Sequence, residues 1–367
     1  MPKTIKVGKS VIGEGQPCFI VVEAGVNHVL EKNDLKKCGA KSSLEVAFRM
    51  VDAAAEAKAD AIKFQSWITE KVLLKNVKKP KYQVESVGAD DEVSYFDLIK
   101  SLETSREQEL KIADYCRKKG ILFFSTPYDN ESADFLDEKA RVQIFKLASI
   151  ELNNHLFLRH VAKKGKPLII STGLSSMDDV RAVVEIARKE GFAYRLVLLQ
   201  CTSNYPTAPK EINLNVIRAY KKEFSDILIG FSDHSKTFIA SIGAVALGAV
   251  VLEKHFTLDK SFKGPDHSSS LDKKDLIDWV SSVRELEASM GSSEKNITEG
   301  EKNNETMRKY LVITPRKKGT KIGLEMLNSM RTGVGIMPID KNLKMIAGKR
   351  LKIDVNKVKP LKWEMIE

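Results

Sequence analysis

Short apolar segments alternate with amphipathic segments from residue 18 to about residue 290. The apolar segments are rich in β-branched and aromatic residues, as buried strands are; they read CFIVVEAG, ADAIKFQS, ILFFSTP, VQIFKLAS, KPLIISTG, YRLVLLQCT, DILIGFSD and VVLEKHFT. The segments between them repeat apolar residues at helical spacing, as in LEVAFRMVDAAAEAKA, REQELKIADYCRKKG, MDDVRAVVEIARKEG and FIASIGAVALGA. Continuous apolar strands that alternate with helices predict a parallel sheet covered by helices.

The number of these units favours a closed barrel over residues 1–290. Eight strand–helix units are what a (β/α)8 TIM barrel requires, in about 250 residues. A doubly wound α/β sheet is the alternative, but it usually contains fewer units. The first strand is also followed by EAGVNH, which lacks the glycine spacing of a dinucleotide-binding turn.

Two segments interrupt the alternation of strands and helices, and the chain after the second segment has a different pattern of elements. Residues 68–104 are too long for an ordinary connection and predict a lid or partner-contacting loop over the barrel top. Residues 291–305, GSSEKNITEGEKNNE, are polar and aperiodic and predict a linker. Residues 306–367 contain strand-like pieces such as YLVITP and RLKIDV. They predict a small, mostly β domain near the lower size limit for independent folding, so we expect it to pack against something.

Composition narrows the class of protein. The net charge is +11, but the lysines are scattered and aromatic residues make up only 7% of the chain, whereas nucleic-acid grooves combine clustered basic and aromatic residues. We therefore expect an anionic small-molecule substrate and no nucleic acid. No apolar run approaches the about 20 residues that span a bilayer, and MPKTIKVGKS has no signal-peptide core. For these reasons we expect no membrane partner. Four dispersed cysteines indicate reduced thiols in a cytoplasmic protein.

Polar residues stand at the carboxyl ends of nearly all the predicted strands. In a (β/α)8 barrel these ends share one mouth, where the active site lies. Strand-end Ser171, Thr172 and Ser125 can be explained as caps of the following helices. Buried charges are costly unless they are paired, so capping does not explain the charged members of the set: Lys63, Lys146, Glu151, His234 and His255.

Two of these residue types suggest specific chemistry. His234 and His255 follow neighbouring strands and could share a divalent ion, although a histidine at a strand end is also commonly a plain hydrogen-bonding residue. Both interpretations stay open on the residues alone. Lys63 and Lys146, together with serine and threonine hydroxyls, predict a pocket for a phosphate or carboxylate group.

The motifs together resemble one family. The stretches are VVEAGVNH, ADAIKFQS, FFSTPYD, FKLASIELNN, LIISTGLSS, LLQCTSNYPT, IGFSDHS, VLEKHFTLDK, KGPDHSSSL and RTGVGIMP. In this order they resemble the sialic acid synthase family, which condenses phosphoenolpyruvate with an N-acylated mannosamine-type sugar. The resemblance implies a (β/α)8 barrel followed by an antifreeze-like (SAF, β-clip) domain, which in a domain-swapped homodimer covers the partner's active site.

The resemblance also implies roles for individual residues. His234 and His255 fall on the metal ligands, usually for Mn²⁺, with Mg²⁺ or Co²⁺ as alternatives. Glu151, and after it Glu23, fall on acidic positions that handle protons, and Lys146 belongs to both the catalytic and the phosphoenolpyruvate set. The phosphoenolpyruvate site would use Lys63, Thr126, Lys146, Ser149, Ser171, Ser203 and Ser232. The sugar site would use Gln65, Tyr205, Asp266 and, from the partner subunit, Arg331.

Some of these assignments have simpler alternatives. Ser203 can be a turn residue, Tyr205 a wall residue and Asp266 a residue that orders its loop. Arg331 stands in RTG where many relatives have RPG, which puts the rigidity of that loop in question while the charge is kept. His267 is left unassigned, and we expect it on a surface loop.

The resulting prediction is a nonulosonate synthase. N-acetylmannosamine is the first candidate sugar. The alternatives are 2,4-diacetamido-2,4,6-trideoxymannose, as in a legionaminate-type synthase, and the 6-phosphosugar of an N-acetylneuraminate-9-phosphate synthase. A deoxyheptulosonate or deoxyoctulosonate synthase would lack a reason for the C-terminal domain. A sugar- or ice-binding protein without catalysis would not need the lysines, acids and both histidines.

Overall fold

The computed structural model describes residues 3–80, 83–84 and 93–367. The chain forms two compact units, Met1–Gly291 and Ser292–Glu367, each with its own hydrophobic core. The segment predicted as a linker, 291–305, falls almost wholly in the second unit. No described helix is both long and apolar enough to cross a membrane.

An antiparallel hairpin that the apolar pattern did not predict precedes the barrel. It pairs β1 (Thr4–Val7) with β2 (Ser10–Gly13). Each strand has only four residues, too short for a periodic signal to stand out from its lysine-rich surroundings.

Eight parallel strands of the described chain form the barrel, at the positions that the apolar segments predict. Their spatial order is β5-β4-β3-β10-β9-β8-β7-β6, and β5 also lies beside β6, which closes the sheet. The (β/α)8 prediction is confirmed. The strands are β3 (Phe19–Gly25), β4 (Ala61–Ser66), β5 (Leu122–Pro127), β6 (Phe145–Leu147), β7 (Leu168–Ser171), β8 (Leu196–Cys201), β9 (Leu228–Asp233) and β10 (Val251–His255).

Helices cover the outside of this sheet. In the second of them the Ser42 hydroxyl caps the helix by accepting the backbone N–H of Glu45, and apolar residues such as Val46 and Met50 are buried against the strands. The helices of the first unit are α1 (Lys32–Cys38), α2 (Ser43–Glu56), α3 (Thr69–Val72), α4 (Tyr95–Ser101), α5 (Arg106–Lys119), α6 (Asn130–Glu138), α7 (His155–Ala162), α8 (Met177–Lys189), α9 (Asn215–Glu223), α10 (Ile239–Ala246) and α11 (Lys273–Met290).

The register of the parallel strands brings polar residues of different strands to one level. Glu23 of β3 is paired with Lys63 of β4 on one side and with His255 of β10 on the other. Glu253 of β10 is paired with Ser232 of β9. Because side chains alternate across a sheet, Glu253 and His255 share the inner face of β10.

The insertion predicted as a lid, 68–104, is described in part. Its α3 and α4 are described, whereas residues 81–82 and 85–92, which include half of KPKYQVES, lie outside the described residues.

The second unit is small and mostly β, as predicted. Its sheet, in the part that the structure describes, has the antiparallel order β12-β11-β13. RLKIDV forms isolated bridges and not the expected strand, because its residues pair in turn with three separate segments. The elements are α12 (Glu299–Lys302), β11 (Lys309–Ile313), β12 (Leu327–Arg331), α13 (Asp340–Ile346) and β13 (Lys359–Pro360).

Candidate active site

The carboxyl ends of the barrel strands enclose a polar cavity of about 180 Å³, which we call the inner cavity. Twelve of the residues predicted from the sequence line it. They are Glu23, Lys63, Gln65, Thr126, Lys146, Ser149, Ser171, Ser203, Tyr205, Ser232, His234 and His255. The barrel topology thus collects side chains from strands far apart in sequence.

Two lysines and two glutamates form a buried charge network at the bottom of the inner cavity. The Lys63 ammonium lies 2.5 Å from Glu23 Oε2 and 3.7 Å from Glu253 Oε2, and it donates to Thr126 Oγ1 at 2.8 Å. Lys146 Nζ lies 3.2 Å from Glu253 Oε1. Glu253 therefore bridges both lysines.

The pKa values of the two glutamates are shifted in opposite directions. Burial would raise the pKa of Glu253, but Lys146 and Lys63 outweigh it and bring that pKa down to about 2. Burial, with Glu253 nearby, raises the pKa of Glu23 above its ordinary value, although Lys63 opposes the rise. Burial also lowers the pKa of Lys146. Glu253 thus stays ionised, whereas Glu23 holds a proton more readily than an ordinary glutamate.

Hydroxyl groups surround the lysines. Ser232 donates to Glu253 Oε1 at 3.0 Å, and Ser149 accepts the Gly173 N–H at 2.9 Å. The Ser171 hydroxyl is buried and has no hydrogen-bond partner within the described chain. A buried hydroxyl of this kind is expected to bind a ligand. A side chain on Gly173 would collide with Ser203 Oγ, since its Cβ would lie 2.2 Å from that atom.

The two predicted metal ligands face each other across the cavity. Their ring centroids are 5.6 Å apart. His234 Nδ1 lies 2.8 Å from the Thr202 carbonyl oxygen, so an Nδ1–H that donates there leaves Nε2 directed to the cavity. Burial, reinforced by His234 and Lys63, holds the pKa of His255 well below its usual value. Neutral imidazole is the form that binds metals.

These residues fit a two-histidine metal site. With metal–nitrogen distances of about 2.1 Å, two rings this close can share one ion. His255 Nδ1 is buried without a hydrogen-bond partner among the described residues, and the nearest carboxylate oxygen, of Asp266, is 3.9 Å away. No three His, Cys, Asp or Glu side chains of the described residues come together as a metal cluster, so further ligands would come from water or substrate.

A second cavity of about 230 Å³, the outer chamber, adjoins the inner cavity. The two share Gln65, Tyr128, Ile150, Tyr205 and His255 as lining residues. The predicted site residues Glu151 and Asp266 line the outer chamber alone, together with residues of the partly described insertion.

The acids of the outer chamber have raised pKa values. Burial raises the pKa of Asp266 to about 7, and Glu23 adds to the effect. Burial also raises the pKa of Glu151, whose Oε2 accepts from Asn154 Nδ2 at 2.8 Å. Asp266 can therefore exchange protons near neutral pH, and Glu151 holds a proton more readily than an ordinary glutamate.

Two residues that the sequence analysis considered, Arg331 and His267, lie outside both cavities. Arg331 is an exposed residue at the end of β12, in the second unit. His267 was expected on a surface loop, and this is wrong: it is 1% exposed, with Nδ1 2.7 Å from Thr257 Oγ1. Because Phe262 packs against its ring, the loop that carries it folds into the barrel wall.

Two lining residues had no role in the sequence analysis. Glu253 was one of many strand-end polar residues, but its spacing of two from His255 already places both on one face of a strand. Cys201 lies with its Sγ 3.7 Å from His234 Nδ1 and 3.6 Å from Ser149 Oγ. Its position inside an apolar strand, LVLLQC, gave no signal that it would face the cavity.

Comparison with known proteins identifies the family. The NeuB family model matches residues 50–295, well over half of the chain. The chain belongs to the NeuB family. This confirms the resemblance to sialic acid synthases, and with it the expectation of a synthase.

Two relatives of this NeuB-family chain are named as synthases of related acids. It is 36% identical to N,N'-diacetyllegionaminic acid synthase of Legionella pneumophila, over 97% of this chain and 96% of that protein. It is also 36% identical to N-acetylneuraminate-9-phosphate synthase of Homo sapiens, over 97% and 94%.

Solved structures agree with this assignment. The N-acetylneuraminic acid (sialic acid) synthetase of Leptospira borgpetersenii, in complex with citrate, superposes with a TM-score of 0.69 at 32% identity, over 83% of this chain and 95% of that one. A truncated 3-deoxy-D-arabino-heptulosonate 7-phosphate synthase of Thermotoga maritima shares the fold alone, at 13% identity and a TM-score of 0.58, over 78% and 93%.

Proposed function

We propose that this protein condenses phosphoenolpyruvate with an N-acylated mannosamine-type aldose to give a nonulosonate and phosphate. One observation carries the proposal: a small lysine-rich cavity, sized for a small anion, is lined by two facing histidines, and one of them, His255, also lines the adjoining larger chamber. The membership in the NeuB family and the names of the relatives support the same reaction class.

The inner cavity would hold phosphoenolpyruvate. Lys63 and Lys146 supply positive charge for its phosphate and carboxylate, and the free hydroxyl of Ser171 supplies a hydrogen bond. Glu23 and Glu253 balance the charges of the two lysines. A bound anion would compete with these carboxylates for the ammonium groups.

His234 and His255 would hold a divalent cation, and the family resemblance points to Mn²⁺. When bound, such an ion supplies Lewis-acid polarisation of the sugar's aldehyde oxygen. The protein's own residues orient the reactants: the lysines hold phosphoenolpyruvate so that its C3 faces C1 of the sugar.

Glu23 and Glu151, whose pKa values are both raised by burial, would act on different reactants. Water adds at C2, the C–O bond to phosphate breaks, and the water's proton must be removed. Glu23 lines the inner cavity, where C2 would lie, whereas Glu151 lines only the outer chamber. The geometry thus favours Glu23 for the water proton and Glu151 for the sugar side, the reverse of the order that the sequence suggested.

We also propose a domain-swapped homodimer in which Arg331 reaches the partner's sugar. Its exposure at the end of β12 supports this. All four cysteines of the chain are free thiols, which supports a reducing, cytoplasmic location.

An assay of phosphate release tests the proposal. Purified protein with Mn²⁺ and phosphoenolpyruvate should release phosphate only after an N-acylated mannosamine is added, and His255→Ala should abolish turnover. The matched control is His160→Ala, a change of a partly exposed histidine on α7, outside both cavities. Undiminished turnover in His255→Ala would remove the metal assignment.

A further inference from the structure

We propose that the outer chamber selects an aldose whose C6 is a methyl group, such as 2,4-diacetamido-2,4,6-trideoxymannose, over sugars with a hydroxyl or phosphate at C6. This inference rests on the proposed function. It replaces N-acetylmannosamine, the first candidate on sequence, with a 6-deoxy substrate.

The arrangement of the cavities sets the direction of the sugar. C1 must meet phosphoenolpyruvate near the proposed metal ligands, and one of these, His255, lines both the inner cavity and the outer chamber. The rest of the sugar chain must then extend away from the barrel strands into the outer chamber. C6, at the opposite end of the chain from C1, reaches the part of the chamber that the inner cavity does not share.

That far part of the chamber has an apolar wall. α3 and α4 and the residues beside them supply most of it. Its apolar members are Val26, Trp67, Val72, Leu73, Ile99 and Leu102. A methyl group gains free energy by being buried against these apolar side chains, whereas a hydroxyl placed against them would lose its hydrogen bonds to water. The uncharged polar exceptions are the amide of Gln83 and the hydroxyl of Tyr95.

The charges of the chamber disfavour a 6-phosphate. Its described lining contains the carboxyl groups of Glu151 and Asp266 and no lysine or arginine. A phosphate carries close to two negative charges at neutral pH and is normally bound by Arg or Lys. The inner cavity differs in this respect, because two lysines, Lys63 and Lys146, line it.

A panel of three sugars with wild-type protein tests the selection. Phosphate release from phosphoenolpyruvate is measured with the trideoxy sugar, with N-acetylmannosamine and with N-acetylmannosamine 6-phosphate. We expect kcat/KM to be at least tenfold higher for the trideoxy sugar than for N-acetylmannosamine, and at least a hundredfold higher than for the 6-phosphate. A higher kcat/KM with either of the other sugars overturns the inference but keeps the proposed function. Release with none of the three overturns the proposed function itself.

A pair of adjacent leucines locates the selection in this wall. Leu73 lines the chamber, whereas Leu74 is 79% exposed and does not. Leu73→Lys should lower kcat/KM for the trideoxy sugar at least tenfold and raise that for the 6-phosphosugar at least tenfold. Leu74→Lys, the same chemical change one residue on, should leave both within about twofold.

A second pair on α4 keeps the test decisive if Leu73→Lys does not fold. Ile99 lines the chamber and Leu98 does not, so Ile99→Lys should shift the preference towards the 6-phosphosugar and Leu98→Lys should not. If the lining and control variants had equal ratios of kcat/KM for the two sugars, the apolar wall would not be what distinguishes the groups at C6.

Discussion

Glu253 shows how one residue organises the charges of the site. It holds Lys63 and Lys146 on its two oxygens and accepts from Ser232 as well. Its pKa of about 2 makes it a fixed negative charge and not a proton carrier. We therefore expect Glu253 to position the two lysines, which in turn would hold the anion.

Glu253→Gln tests this positioning role. The change leaves buried lysines without their shared partner, so we expect the free energy of unfolding to fall by about 3 kcal/mol. An anion in the inner cavity should replace the lost charge, and added phosphoenolpyruvate should therefore raise Tm more in the variant than in wild type. The measurement is a thermal melt with and without phosphoenolpyruvate.

A second buried lysine–carboxylate pair provides the control. Asp233 and Lys254 lie 3.2 Å apart, fully buried, and Asp233 accepts from Ser241 of α10, outside both cavities. Asp233→Asn should destabilise the protein by a similar amount without any extra rescue by phosphoenolpyruvate. Equal rescue of both variants would contradict the role of Glu253.

Two buried histidines outside the site predict acid sensitivity. Burial lowers the pKa of His28, which contacts Thr104, and of His267 to about 4. The unfolded chain takes up a proton near pH 6.5 and the folded chain only near pH 4. The stability contribution is thus complete above pH 6.5 and is lost as the pH falls towards 4, by up to about 1.4 kcal/mol per pH unit for each histidine.

Urea unfolding of wild type and a His28→Gln, His267→Gln double variant at several pH values measures this effect. Between pH 6.5 and pH 4 the stability of the variant should fall less steeply than that of wild type. Above pH 7.5 the imidazoles are neutral in both the folded and the unfolded chain. The difference in free energy of unfolding between the two proteins should therefore not change with pH in that range. Parallel curves throughout would refute the prediction.

At the scale of elements, a bulge in β3 shapes the site. The pairing of β3 with β4 shifts register between Glu23 and Gly25. Gly25 has φ of +51°, and a Cβ there would lie 3.2 Å from Glu23 Oε1 and 3.3 Å from Gln65 Nε2. Only glycine serves here, because the backbone is left-handed and the two side chains, joined by a 3.0 Å hydrogen bond, fill the space.

Gly25→Ala compared with Gly39→Ala separates backbone strain from crowding of the site. Gly39, at the end of α1, has φ of +66°, and no described atom lies within 4 Å of its Cβ position. Each change should cost about 1 kcal/mol of stability through strain. Only Gly25→Ala should also reduce kcat/KM, by tenfold or more, since it displaces Glu23 and Gln65. Equal activity of the two variants would rule out the crowding argument.

At the scale of the whole molecule, the chain folds as two units with separate cores. The barrel unit contains the inner cavity and the outer chamber, and the smaller unit contains Arg331. The proposed swap would combine the barrel of one protomer with Arg331 of the other, so that each site depends on two chains.

Complementation measures whether the swap occurs. Arg331→Ala and His255→Ala should each be inactive alone. In mixed dimers a swapped arrangement pairs an intact barrel with an intact Arg331, so that co-expression should restore about one quarter of wild-type activity, since about half of the dimers are mixed and each has one complete site. Without a swap the mixture stays inactive.

The sequence pattern was sufficient for the barrel but not for its irregular parts. Each strand such as LLQC or ILIGF is buried on both faces, and this local property alone identifies a parallel sheet between helices. The hairpin of Thr4–Val7 and Ser10–Gly13 was not predicted because its strands are short. RLKIDV was wrongly predicted as a strand because strand-like composition does not ensure a strand partner.

The site divides in the same way. Which residues stand at strand ends is a property of the chain, so His234, His255 and both lysines could be found before the structure. Which strand-end residue touches which depends on register and barrel closure, contacts between segments far apart in sequence. For this reason the bridging role of Glu253, the burial of His267 and the apolar wall of the outer chamber emerged only from the folded barrel.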